Sequence, residues 1–145
     1  MNESPLYGVA VALVKDKRVF LSRRMNTVIL PKKWQFINTR ITGIEQSQDS
    51  AVRVVEDETG VKLSKDRLYY TSYLSLPQLK EYYYLYLVGL RADETPIEIK
   101  NNFRSSWRSF KIDDALVLDV IPGIREILKK MSVSLKAWEL LKGKK

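Results

Sequence analysis

Along the chain the alternation of apolar and polar residues changes period several times, and each change marks an element. Residues 7–14, YGVAVALV, are almost wholly apolar and rich in strand formers. After the break KDK, the segment RVFLSR alternates Val19 and Leu21 against Phe20. This predicts a hairpin whose first strand is buried on both faces. MNTVILPKKW holds a proline and two lysines without a steady period, so a loop is expected there, leading into a short strand, WQFI. Over residues 47–59 the period turns helical. Ala51, Val52 and Val55 form an apolar stripe, Asp49 suits the first turn, Ser47 or Ser50 can cap it, and Gly60 ends it.

RLYYTSYLSL and EYYYLYLVGL then read as two strands joined by the turn PQLK. On the second, Tyr82, Tyr84, Tyr86, Val88 and Leu90 share one face, with Tyr83, Leu85 and Leu87 on the other, and both faces are expected to be covered. A polar connector, RADETPIEIKNNFRSS, precedes a short strand, WRSF, and KIDDALVL reads as a helical turn. Pro122 can start a helix with the stripe Ile124, Ile127, Leu128 and Met131, and SLKAWELLKG is either its extension or a separate short helix. The order strands, helix, strands, helices implies an α/β (α+β) architecture, a mixed sheet with helices on its faces.

Composition narrows the chemistry. At 145 residues the chain fits one domain, and no apolar run approaches the roughly 18–20 residues that span a bilayer. The N-terminal MNESPLYGVAV lacks the basic-then-apolar order of a secretory signal, so a cytoplasmic protein is expected. Cysteine and histidine are both absent, which leaves catalysis to carboxylates, lysine, tyrosine or a hard cation. A net charge of +8, part of it in the tail KGKK, favours polyanions such as nucleotides or nucleic acid; a plain basic surface is the alternative.

The helical segment carries the most specific spacing. Glu45 lies eight residues before Arg53, which is followed by Val54, Val55, Asp57, Glu58, Gly60 and Val61. This resembles the Nudix box of the MutT-like hydrolases, G-x5-E-x7-R-E-U-x-E-E-x-G-U with U aliphatic. Glu45, Arg53, Val55, Glu58, Gly60 and Val61 match, Asp57 is a shortened match, and Thr39 and Val54 replace the first glycine and the middle glutamate. The likeness runs over about residues 6–131. VALVKDKRVFLSRR resembles the family's opening hairpin, KKWQFINTR its W-x-F-P-G-G-K segment with Ile37, Asn38 and Thr39 for Pro-Gly-Gly, and WRSFKIDDAL its late W-x-x-x-x-E-L. Residues 132–145 are expected to form a C-terminal helical extension.

The resemblance implies a Nudix-like mixed sheet between helices and a hydrolase of a nucleoside diphosphate linked to another group. It implies Mg²⁺ or Mn²⁺ held by Asp57 and Glu58, with Glu45 assisting directly or through water and Arg53 orienting the helix. Valine has no lone pair for a hard cation, so Val54 removes one ligand. Activity is therefore expected to be weakened, and Val54→Glu is expected to raise metal affinity if the cleft is otherwise intact. Another family acid falls at Ser106, with Glu98 a weak substitute. Arg23, Arg24, Lys32, Lys33 and Arg40 flank the expected cleft as phosphate contacts, or form an ordinary basic surface. The tyrosines of 82–86 can stack on a base, although packing is the commoner role. A second class stays open: a Nudix-fold module without hydrolysis that binds a nucleotide, nucleotide-sugar or RNA. A purely structural role and a homodimer stay open as well.

Overall fold

The computed structural model describes residues 5–23, 33–97 and 107–142, with 134–142 by backbone only. Arg24, Lys32, Glu98 and Ser106, singled out above, lie outside the described residues, as do most of the loop 25–33 and the tail. No described helix is long and apolar enough to cross a membrane.

Strand β1, Leu6–Lys15, runs through the middle of a six-stranded sheet. Its even positions Ala10 and Ala12 are small and face one side, while Val9, Val11 and Leu13 face the other, and all are buried. Asp16 and Lys17 both take left-handed backbone (φ 52 and 65), the geometry of a two-residue hairpin turn, and lead into β2, Arg18–Arg23. The hairpin opens after three residue pairs, Leu13↔Phe20 to Lys15↔Arg18. Strand β3, Trp34–Arg40, enters the gap and pairs antiparallel with both neighbours. The expected strand WQFI thus continues through Asn38 and Thr39, which pair with Ala10 and Val9. Closeness here needs Gly8, where a Cβ would lie 2.4 Å from the carbonyl oxygen of Thr39.

Helix α1, Ser47–Thr59, follows. Its cap is Gln46, in a reciprocal box with Asp49, and neither Ser47 nor Ser50 fills that role. Ser47 is bonded to Tyr86 and Ser50 to Glu45 instead. Gly60 closes the helix in left-handed backbone (φ 77). Strands β4, Tyr69–Leu76, and β5, Glu81–Gly89, form the second hairpin, turned by a 3₁₀ segment at Pro77–Leu79 and left-handed Lys80. Strand β5 lies parallel to β1, and β6, Trp107–Lys111, pairs with β2. The order is β4-β5-β1-β3-β2-β6, a mixed sheet as expected.

Two layers of helix flank it. Val54, Val55 and Ala51 of α1 pack on Val9, Val11, Leu13 and Ile37. On the opposite face, α2 (Ile112–Ala115) and α3 (Ile124–Lys142) set Ile112, Ile124 and Leu128 against Ala10, Ala12, Phe36 and Leu85, the alanines making room for α3. Pro122 lies ahead of α3 rather than inside it, and residues 134–142 continue α3 rather than forming a separate helix. The sheet is not covered on both faces along its full length: Tyr84 of β5 and Tyr7, Tyr70 and Tyr73 are exposed.

Candidate functional site

The loop before α1 and the helix itself are tied by one arginine. Arg53 donates from Nε to Oε2 of Glu45 (3.0 Å) and from its terminal nitrogen to Oε1 (3.0 Å) and to the backbone oxygen of Arg40 (3.1 Å). Ser50 (2.7 Å) and Thr42 (3.1 Å) donate to the same Oε1. With the Thr42 backbone N–H, five donors reach this one carboxylate and favour its charged form. The Arg53 bond, then that of Ser50, draws the Glu45 pKa down to about 2 against the opposing effect of burial, with Thr42 adding a smaller pull in the same direction. Glu45 in turn raises that of Arg53. Both oxygens of Glu45 are thus engaged in bracing the loop against the helix.

The two acids near the end of α1 part company. Asp57, one turn beyond Arg53, faces outward at 3.8 Å from its guanidinium. Glu58 turns inward on the side of Val54 and is buried. Val54 itself is fully buried among Val9, Val11 and Ile37, so it extends the apolar stripe and offers nothing to a ligand. The end of the helix is pinned from outside: the Trp107 indole N–H donates to the Glu58 carbonyl (2.7 Å) and the Ile97 N–H to that of Thr59 (2.9 Å). These bonds satisfy carbonyls that a helix leaves orphaned. A carboxylate at a helix C-terminus opposes the helix dipole, and its burial calls for a compensating partner.

Of the basic residues named from sequence, the three that are described are not gathered. Arg40 ends β3, while Lys33 and Arg23 lie at its beginning, six strand residues or about 20 Å away. Lys33 pairs with Asp119, and the Arg23 guanidinium lies over the Trp34 ring (5.6 Å). Of the three, Arg40 alone neighbours the Glu45–Arg53 brace. Trp34 and Trp107 are half-buried rim residues, each edge-on to a phenylalanine. A cavity of about 10 Å³, room for one water, lies on the α3 face between Ala10, Gln35, Phe36, Asn38, Tyr83 and Ile124. The Asn38 amide on its wall donates to the Phe36 carbonyl (2.8 Å). Among the described residues no three acidic, histidine or cysteine side chains come together as a metal site.

Sequence reasoning missed Thr42 and Ser50 as partners of Glu45. Their spacing, three residues before and five after it, is the only trace they leave in the sequence.

No family model matches the chain, and no curated protein does. Solved structures do. A MutT Nudix hydrolase from Burkholderia pseudomallei superposes with a TM-score of 0.70 at 21% identity, covering 88% of this chain and 98% of that one. A mutT/nudix family protein from Listeria innocua gives 0.72 at 16%, covering 97% and 99%. The Nudix domain of Shewanella oneidensis NrtR, solved with ADP ribose, gives 0.70 at 14%, covering 92% and 90%. The chain therefore has the Nudix fold, in agreement with the resemblance read from its box.

Proposed function

We propose that the chain is a Nudix-type hydrolase of weakened activity, acting on a nucleoside diphosphate linked to another moiety. The observation that carries this is the buried Glu58 at the pinned end of α1, beside an outward Asp57 and behind an intact Glu45–Arg53 brace. ADP ribose, the ligand of the NrtR domain, belongs to the same substrate class.

The donors offered by the chain are two carboxylates and no nitrogen or sulfur, a set suited to Mg²⁺ or Mn²⁺ rather than to zinc. Two carboxylates fit an ion that shares its coordination with substrate phosphates and water; they do not fit a resident ion, because Val54 closes the third position. Bound there, the ion would polarise the phosphoryl group and assist ionisation of water. In this reading Glu58, which the helix turns inward, would hold the ion, and outward-facing Asp57 would reach it through water. Arg53 spends its bonding on Glu45 and keeps the loop fixed, and Arg40 is the nearest side chain for a phosphate. The test is turnover of a panel of nucleoside diphosphate derivatives with Mg²⁺ or Mn²⁺, expected to be slow and to vanish in Glu58→Gln. A rate unchanged by that substitution would exclude the reading.

The full burial of Val54 favours a second reading, a Nudix-fold module that binds a nucleotide, nucleotide-sugar or RNA without hydrolysis. Tight binding of ADP ribose by calorimetry, with no product after prolonged incubation, would select it.

A further inference from the structure

Six of the eight tyrosines lie together on the α1 side of the sheet, five of them beyond Tyr86, the one that meets α1. Three come from β5 (Tyr82, Tyr84, Tyr86), two from β4 (Tyr70, Tyr73) and one from β1 (Tyr7). An irregularity in β4 between Tyr70 and Ser72 makes this possible, since it returns Tyr70 and Tyr73 to the same face. The rings are ordered among themselves. Tyr82 is held between Tyr7 (5.5 Å, 25°) and Tyr73 (6.4 Å, 12°), forming a slab of three near-parallel rings. Tyr84 meets Tyr73 edge-on (5.3 Å, 67°), and Tyr70 bridges Tyr84 and Tyr86. Tyr86, bonded to Ser47, anchors the group to the start of α1. Tyr7, Tyr70, Tyr73 and Tyr84 remain between 39% and 54% exposed.

Contiguous exposed aromatics on a soluble domain mark a binding surface. The charge on the page selects the occupant. The three strands carry one acid, Glu81, and it is on the opposite face, where it accepts a bond from the Tyr83 hydroxyl. Exposed Lys80 stands at the rim, its carbonyl bonded to the N–H of Leu6 next to Tyr7. The chain as a whole carries +8, which repels a second copy and attracts a polyanion. Edge strand β4 leaves the platform open from the side.

We infer that this tyrosine face is a binding platform for single-stranded nucleic acid, with bases stacking on the outer rings and phosphates drawn by Lys80 and the net positive charge of the chain. Rings on a sheet face accept any base, so recognition is sequence-tolerant and salt-dependent. The site is separate from Asp57 and Glu58 and does not rest on the proposed hydrolysis.

The test is fluorescence anisotropy of the full chain with labelled twelve-nucleotide oligouridine and oligothymidine, over a range of salt. Binding is expected to weaken as salt rises, and to fall tenfold or more in Tyr73→Ser/Tyr84→Ser, while Tyr73→Phe/Tyr84→Phe retains it. Preference for oligouridine or oligothymidine assigns RNA or DNA as the source. Circular dichroism of the serine variant reports folding. Should that variant unfold, photocrosslinking of iodouridine oligomers to the unaltered protein replaces it, with adducts expected on Tyr73 or Tyr84. Three results would overturn the inference: no binding, binding indifferent to loss of the rings or crosslinked elsewhere, or dimerisation of the free chain that the serine variant abolishes.

Discussion

The α1 side of the sheet has two ends, built from the same strands and governed by different demands. At one end Val9, Val11 and Leu13 lie beneath Ala51, Val54 and Val55, with every side chain at or near zero exposure. At the other, Tyr7 and Tyr82 pair in register one step beyond the level of Val9 and Tyr84, and none of the described helices covers them. The boundary is Tyr86, whose ring is buried and whose hydroxyl bonds to the first residue of α1. Branched aliphatic side chains need complete burial to stabilise, whereas tyrosine tolerates a surface that is half wet. The placement of one helix thus decides which positions of a strand are core and which are free to bind.

The covered end is the easier to break. Val54→Glu would put a carboxylate among the buried side chains of Val9, Val11 and Ile37, at a cost of about 3–5 kcal/mol. Chemical denaturation should show that loss, and metal affinity should fail to rise, contrary to what the box pattern alone suggests. A variant as stable as the parent would mean that α1 rolls and frees residue 54. Next in size is Gly8→Ala, at the junction between Tyr7 and Val9. Its Cβ would meet the Thr39 carbonyl at 2.4 Å, and because backbone cannot step aside locally, β3 must shift, costing about 1–3 kcal/mol. A thermal melt reads it directly.

These two positions also show what the sequence could convey. Helix 47–59, its Gly60 stop and the two-sided burial of β1 were legible because period and turn chemistry are local. The Nudix fold was legible through ordered spacing. The role of Gly8 was not, since it depends on a strand thirty residues away filling a gap in the first hairpin. Nor could spacing tell that Asp57 and Glu58 diverge. Adjacent helical residues differ by about 100°, and only the sheet decides which of the two turns inward. The basic residues were scattered by β3 for the same reason: being near in sequence to the expected cleft says nothing about which end of the strand each occupies.

A smaller effect is expected at the brace that holds the covered end in place. Glu45 has its pKa lowered from 4.5 to about 2 by Arg53, so its contribution is complete above about pH 4.5 and is lost as pH falls toward 2. Arg53→Met should therefore lose stability at neutral pH and show a flatter acid limb, with less further loss between those values. Some slope should remain, because Glu94, paired with Arg67, is lowered to about 2 as well. Urea midpoints at pH 7, 4 and 3 compare the two chains. An unchanged slope in the variant would mean that Glu45 finds its partners without the arginine.

The bare end should barely register in stability at all. Tyr84 gives up its ring contacts with Tyr70 and Tyr73 when replaced, and its side chain already meets water, so no closed cavity forms. Edge-to-face contacts of this kind contribute about 0.5–1.5 kcal/mol when well packed, and less where water competes. Tyr84→Thr keeps a β-branched strand former at the position, which offsets part of what is lost. The expected change is about 0.5 kcal/mol or less by urea denaturation. A loss comparable to that of Val54→Glu would mean that Tyr84 supports the core rather than standing free above it, and the contrast between the two ends of the face would disappear.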